Sequence, residues 1–184
     1  MRKVKVAATQ MSCSWNREEV LDKAEKLVRK AAAEGANIIL LQELFETPYF
    51  CQKQKFEYFD LAKPLSENAA VKRFTEVAKE LQVVLPISFY EKAGNTAFNT
   101  IAIIDADGTI LGTYRKTHIP DGLPYAEKFY FTPEIPDLRY GRQNMQISAL
   151  ASAGISGFRR LPEAWHFLAQ SCCSIRLRSE ASLH

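Results

Sequence analysis

Two ionisable residues directly follow predicted strands, where they could carry out acid–base chemistry on a carbonyl group. Glu43 comes two residues after the apolar run Ile38–Leu41, and Lys116 follows the run Thr109–Arg115. A carboxylate at the end of a buried strand lies at the rim of the sheet, where α/β proteins place their sites. Burial makes such a carboxylate a plausible general base. A lysine at a second strand end could stabilise a developing oxyanion.

A second carboxylate, Glu127, could hold the Lys116 ammonium charged and oriented. Each of the three residues also has a plainer interpretation. Glu43 could be a surface glutamate, Lys116 could form a solvated basic pair with Arg115, and Glu127 could pair with Lys128 at the surface. From position alone, these plainer interpretations are favoured.

The elements that must position these residues follow from hydrophobic periodicity. Short strands are predicted at Val4–Ala8, at Asn37–Leu41 and at Val83–Tyr90, the last interrupted by Pro86 as a bulge or edge. Asn16 begins one helix with a capping-box pattern, and Ser66 is expected to cap a second. A hairpin of two further strands is predicted after the third strand and completes the order of elements. The order β-α-β-α-β-β-β predicts an α/β fold with its helices on one face of a mixed sheet. The hairpin is expected over Ala97–Asp105 and Thr109–Arg115.

Composition excludes several other classes of function. The 184 residues carry a net charge of only +3, too little to argue for nucleic acid or an anionic membrane. No apolar run is long enough to span a membrane and no secretory signal is visible. An adjacent pair such as Cys172–Cys173 is a poor disulfide framework, which suggests a reducing, cytoplasmic setting. The scattered histidines make a metal site improbable.

Several long blocks, in the right order, resemble the carbon–nitrogen hydrolase (nitrilase) superfamily. Within it, they are most similar to the amidases that act on N-carbamoylputrescine. The resemblance covers residues 1 to about 133. The blocks are Val6–Met11, Leu41–Gln52, Asn99–Asp105 with Gly108, Tyr114–Pro120 and Asp121–Phe131.

The resemblance implies an α-β-β-α sandwich, incomplete in this chain, in a protein that forms a homo-oligomer and uses no cofactor. It implies a Glu-Lys-Cys mechanism on a small carbamoyl or amide substrate. In this mechanism Glu43 is the general base, Lys116 stabilises the oxyanion, and Glu127 is a second glutamate that positions the lysine and the substrate. Tyr49 or Asp121 could recognise the distal ammonium of the substrate. The thiol becomes an effective nucleophile when a nearby base takes its proton.

The family's nucleophilic cysteine lies in a Cys-Trp-Asp-like block, and this block is missing from the sequence. The amino-acid composition changes after Phe131, ahead of the place where the block is expected. Residues 1–131 contain 13 lysines and 4 serines, whereas residues 132–184 contain no lysine and 7 serines. We interpret residues 1–131 as the N-terminal part of the hydrolase domain. We interpret 132–184 as a non-homologous tail, translated one base out of frame.

Back-translation favours this interpretation. When the third base of each tail codon is read with the first two bases of the next, family segments can be recovered in order, and a Cys codon falls across Ser152 and Ala153. Met145 and Trp165 have one codon each, and both give alanine in the shifted frame. An independently evolved tail is the alternative. The protein that would be encoded if the family's reading frame continued after Phe131 is named the frame-restored protein.

Two hypotheses about function follow. The first is an amidase-family enzyme whose present chain lacks its nucleophile and is inactive. The second is a catalytically dead binding or assembly subunit that joins intact homologues. Within the enzyme class, another N-carbamoyl compound, such as an N-carbamoyl amino acid or N-carbamoyl-β-alanine, is the alternative substrate.

Overall fold

The computed structural model describes residues 4–122 and 124–134. Five strands and two helices follow one another in the predicted order β-α-β-α-β-β-β. Short 3-10 turns lie at Phe50–Gln52, Phe56–Leu61 and Glu127–Phe129. The strands and helices are β1 Val6–Ala8, α1 Arg17–Ala33, β2 Ile38–Leu40, α2 Ala69–Leu81, β3 Leu85–Ala93, β4 Thr96–Ile104 and β5 Ile110–Arg115.

Helix α1 begins where its sequence predicts. The Asn16 side chain accepts a hydrogen bond from the Glu19 backbone N–H, which satisfies one of the donors left open in the first helical turn. Val20, Ala24 and Val28 recur at helical spacing and are buried. The chain leaves the helix through Gly35, whose φ of 86° suits a residue without a Cβ atom.

Helix α2 begins at a different residue from the one predicted. Its N-cap is Asn68, not Ser66, which is exposed. Asn68 Oδ1 accepts from the Val71 N–H at 2.9 Å, and Asn68 Nδ2 donates to Glu46 Oε1 at 2.7 Å. The asparagine side chain therefore caps the helix and satisfies a buried carboxylate, whereas a serine has one short hydroxyl group. Burial raises the pKa of Glu46, and the Asn68 hydrogen bond and Arg17 partly oppose that shift.

Replacing Asn68 by alanine in the frame-restored protein is expected to lower the free energy of unfolding by about 1–3 kcal/mol, because the cap is lost and Glu46 loses a buried donor. The Ser66→Ala variant is the matched control, with a change expected within about 0.5 kcal/mol. Urea unfolding of both variants measures the difference. Equal effects of the two substitutions would contradict the cap assignment.

The strands form one parallel pair and one antiparallel sheet. β1 pairs with β2 in parallel, and β3, β4 and β5 pair antiparallel in that order. A parallel bridge between Ile38 and Val84, with an Ile39 N–H to Val84 C=O hydrogen bond of 3.0 Å, brings β2 beside the start of β3. The arrangement is the mixed sheet that the element order predicts.

Of the two alternatives predicted at Pro86, the bulge is wrong, whereas β3 is an outer strand of the three-stranded sheet. The pairing between β3 and β4 runs without a shift from Leu85 to Ala93, and Pro86 lies opposite Ile103 within it. The irregularity that the sequence pattern assigned to Pro86 occurs instead in the β4–β5 pair, between Ile103 and Ile104. A proline that keeps an extended backbone costs one donor but does not require an extra residue.

The two faces of the sheet are covered differently. Helices α1 and α2 pack on one face and enclose the main core. Residues on the opposite face, including Ile38, Val84 and Ile103, form a smaller cluster, and Val6 on β1 is 49% exposed. The described part of the chain is therefore a helical layer and one sheet, which is half of an α-β-β-α sandwich. The residues enclosed in the main core include Val20, Leu21, Ala24, Val28, Phe45, Phe74, Leu85, Ile87 and Phe89.

Candidate active site

Glu43 lies on the segment that follows β2, and a tight backbone turn directs it. The next residue, Leu44, has a φ of 50°, in the left-handed region that a branched side chain rarely adopts. The Leu44 N–H donates to Ser88 Oγ of β3 at 3.1 Å, in a buried environment. This hydrogen bond fixes the turn directly beside the carboxylate.

Lys116 is placed by strand pairing. Its backbone N–H donates to the Asn99 carbonyl at 2.8 Å, just beyond the last β4–β5 pair, Thr100 opposite Arg115. Because side chains alternate along a strand, Lys116 and Asn99 share one face of the sheet, and Thr100 and Arg115 share the other. The face of Lys116 and Asn99 is the one away from the helices.

Arg115 secures the strand end from which Lys116 extends. Its Nε and Nη2 atoms contact Glu91 of β3 at 2.8 and 2.7 Å, and its guanidinium stacks on Phe98 at 4.1 Å from the ring centre. Burial alone would raise the pKa of Glu91, but the hydrogen bonds from Arg115 and Thr100 outweigh it and lower that pKa. The bidentate pair thereby ties β5 to β3 across β4.

The three residues chosen from the sequence meet in space. Lys116 Nζ is 3.1 Å from Glu43 Oε1 and 2.8 Å from Glu127 Oε2. The side chains of Lys116, Glu43 and Glu127 are 17%, 9% and 4% exposed, so water screens them weakly. Their plainer interpretations as surface groups do not hold, because each lies inside one ionic cluster.

Tyr49 and Asn99 complete the cluster. The Tyr49 hydroxyl donates to Glu127 Oε1 at 2.6 Å, and Asn99 Nδ2 donates to Glu43 Oε1 at 2.6 Å. Burial raises the pKa of the Tyr49 hydroxyl, and the hydrogen bond to Glu127 adds to the rise. Tyr49 is therefore held as a neutral donor. The order of contacts is Tyr49, Glu127, Lys116, Glu43 and Asn99.

This arrangement has the parts needed for acyl chemistry. Two carboxylates surround one ammonium group, which leaves a formal charge of −1 in a poorly hydrated place. Lys116, held by both acids, can supply a fixed positive charge to an oxygen that becomes negative. Glu43, held by a neutral amide and by the ammonium, can accept a proton from a group brought beside it.

Asp121 lies apart from these contacts. It is exposed, and its carboxylate pairs with Lys128 Nζ at 3.7 Å. His118 is also exposed, and its Nδ1 lies 3.1 Å from Thr117 Oγ1. The assignment of Asp121, like that of Tyr49, to the distal end of a substrate stays a prediction.

Sequence reasoning missed the roles of Asn99 and Ser88 beside Glu43. Asn99 is 5% exposed and Ser88 6% exposed, and both lie on neighbouring strands. Asparagine is unfavourable in strand interiors, so its presence in the run Phe98–Ile104 was a usable signal. A single serine in a strand carries no comparable signal.

Some sequence-based assignments cannot be compared with the structure. The Cys codon inferred across Ser152 and Ala153, and the rest of 135–184, lie outside the described residues. Within those residues Cys13 is half-buried and Cys51 is buried. No group of three or more metal-binding side chains lies close enough to hold an ion in 4–122 and 124–134. No helix in the described part is long and apolar enough to cross a membrane.

Sequence comparison identifies named relatives. N-carbamoylputrescine amidase of Oryza sativa subsp. japonica is 56% identical over 131 residues, which are 71% of this chain and 44% of that protein. Citrullinase of Francisella tularensis is 46% identical over 152 residues, which are 80% of this chain and 53% of that protein. The chain thus spans about half the length of the curated relatives it matches.

Comparison with solved structures identifies relatives of the same kind. A carbon–nitrogen hydrolase from Helicobacter pylori G27 superposes with a TM-score of 0.65 at 35% identity, over 73% of this chain and 45% of that one. An amidase from Nesterenkonia sp., at 19% identity and a TM-score of 0.60, shares the fold. A model of the carbon–nitrogen hydrolase family matches residues 5–182. The chain therefore belongs to the carbon–nitrogen hydrolase family.

Proposed function

We propose that the cluster around Lys116 is the acid–base half of an amidase that hydrolyses N-carbamoylputrescine to putrescine, carbon dioxide and ammonia. The observation that carries the proposal is the contact of Lys116 Nζ with both Glu43 and Glu127 in a buried setting. Identity of about 55% to plant N-carbamoylputrescine amidases supports the choice of substrate.

The chemistry follows from the charges in the cluster. Glu43 takes the proton of a thiol, and the sulfur attacks the ureido carbonyl carbon while Lys116 stabilises the oxygen that becomes negative. The tetrahedral centre expels ammonia, which receives the proton held by Glu43, and leaves a carbamoyl thioester. Water then attacks, with Glu43 taking one of its protons and returning it to the sulfur. The released carbamate loses carbon dioxide to give the amine.

Glu127 and Tyr49 act on Lys116 in this scheme. Glu127 Oε2 holds the ammonium, and the Tyr49 hydroxyl occupies the other oxygen of the same carboxylate. The ammonium is thus fixed in one orientation before substrate arrives, which is what electrostatic stabilisation of an oxyanion requires.

The thiol itself is proposed to come from the frame-restored protein. The change in composition after Phe131 and the recovery of family segments in the shifted frame support this proposal. The matched length of the rice relative, 131 residues, agrees with it, whereas the family model extends to residue 182. A tail encoded in the family's own frame is therefore the competing explanation. The nucleotide sequence across Phe131–Thr132 decides between them.

The polypeptide of sequence 1–184 is expected to show no turnover of N-carbamoylputrescine, because its sequence lacks the Cys-Trp-Asp-like block that carries the family's nucleophile. The frame-restored protein is expected to release ammonia from the same substrate. Its Glu43→Gln variant should lose activity by about 10²–10⁴-fold, which is the contribution of general-base assistance. Ammonia release by the 184-residue polypeptide that is sensitive to Glu43→Gln would contradict the proposal.

A second candidate substrate is citrulline, favoured by the 46% identity to a citrullinase. Citrulline has the same terminal ureido group as N-carbamoylputrescine, but it ends in an amino acid group and not in a simple ammonium. Assay of the frame-restored protein on both compounds, with N-carbamoyl-β-alanine as a third, distinguishes the candidates by kcat/KM.

A further inference from the structure

The β3–β4 hairpin holds Glu43 at two separate points. Ser88 Oγ of β3 accepts from the backbone N–H of Leu44, and Asn99 Nδ2 of β4 donates to the Glu43 side chain. The donation must run from the amide nitrogen, because an ionised carboxylate offers only acceptors. Counted over the whole residue, Asn99 is 5% exposed and Glu43 is 7% exposed, so water competes poorly for either group.

Both side-chain donors contact the same carboxylate oxygen. Asn99 Nδ2 lies 2.6 Å from Glu43 Oε1, and Lys116 Nζ lies 3.1 Å from that oxygen. The two oxygens of the carboxylate are therefore unlike: Oε1 is already occupied by two donors, whereas these contacts leave Oε2 for a proton.

We propose that Asn99 is a positioning residue, which holds Oε1 of Glu43 so that Oε2 is the oxygen that takes the proton from the nucleophile. This inference rests on the proposed function, because it concerns the general base of that reaction. Asn99 touches Glu43 and acts through it.

A neutral donor suits this task better than a second cation. Lys116 already supplies a full positive charge at 3.1 Å from Oε1. Another cation would favour the ionised carboxylate further and weaken it as a base. An amide fixes the rotation of the carboxylate through a short hydrogen bond without adding charge, so that Glu43 keeps its ability to accept a proton.

The test compares the pH dependence of kcat/KM in the frame-restored protein with that of Asn99→Asp and Asn99→Ala. Both changes remove the donor to ionised Glu43, and Asp adds a like charge, so each destabilises the ionised base. The acidic limb of the profile is expected to move to higher pH by roughly one unit, which lowers kcat/KM by about tenfold at a pH on that limb. Activity should recover partly as the pH rises, and KM should change little.

The control is Asn95→Asp, which makes the same chemical change at an exposed position of the same hairpin, in the turn between β3 and β4. Its profile should coincide with that of the parent. A purely structural role for Asn99 would scale the whole profile down without moving its limb. Unmoved limbs in both Asn99 variants, or variants that do not fold at all, would overturn the inference.

Failure of the proposed function gives a different result. If the parent hydrolyses none of the ureido compounds, the proposed function falls and this inference falls with it. If the parent is active and the limb stays in place, only the inference about Asn99 falls.

Discussion

Replacing Lys116 by methionine in the frame-restored protein is expected to reduce kcat/KM by about 10²–10³-fold or more, because the developing oxyanion loses its fixed positive charge. The same change should lower the free energy of unfolding by about 3–5 kcal/mol at neutral pH, the usual cost of removing one partner from a buried ionic group. Glu43 and Glu127 would remain buried on either side of an apolar side chain.

The stability deficit should depend on pH in a defined direction. Protonation of one carboxylate relieves the repulsion between the two acids, so the difference between variant and parent should shrink as the pH falls. Urea unfolding at several pH values measures it. The control is Lys72→Met on the exposed face of α2, which should change neither stability nor activity measurably. A Lys116→Met variant that is as stable as the parent at neutral pH would show that the buried cluster does not form.

The polypeptide of sequence 1–184 is expected to lack a cooperative thermal transition and to bind hydrophobic dyes, whereas the frame-restored protein should melt cooperatively. The reason is the sheet face away from the helices. Val6 is 49% exposed there, and β1 pairs only with β2 among the described strands. An exposed apolar side chain beside a strand edge that is open among the described strands favours association with other chains.

Scanning calorimetry and light scattering of the two proteins, at equal concentration, test this expectation. A sharp melt and a monodisperse dimer from the 184-residue polypeptide would contradict it. The frame-restored protein is the matched control, because its first 131 residues are the same.

The order of elements could be predicted because it follows from patterns that are local in sequence. The meeting of the three site residues could be predicted from the family resemblance, since position alone favours surface roles for them. Glu43 and Lys116 each follow a predicted strand, and strand ends at the rim of an α/β sheet are a usual place for a site. The cap of α2 could not be predicted from spacing alone. Ser66 and Asn68 are both good caps, and the choice depends on Glu46, which lies 22 residues away.

The roles of Asn99 and Tyr49 depend on contacts across longer separations. Asn99 meets Glu43 across 56 residues, and Tyr49 meets Glu127 across 78. No periodicity in the sequence records which of several polar side chains on a face reaches a particular carboxylate oxygen. That information comes from the pairing register, which fixes Asn99 opposite Tyr90 and beside Lys116.

The shared hairpin that holds Glu43 has a consequence for protein engineering. Ser88 and Asn99, which form hydrogen bonds with the segment after β2, lie on β3 and β4 and not on that segment. A graft of β2 and its following loop onto another scaffold would therefore carry the glutamate but not its orientation. A designer who wants to transplant this base must move the hairpin together with it, as one unit of about sixty residues by the reach of these contacts along the chain.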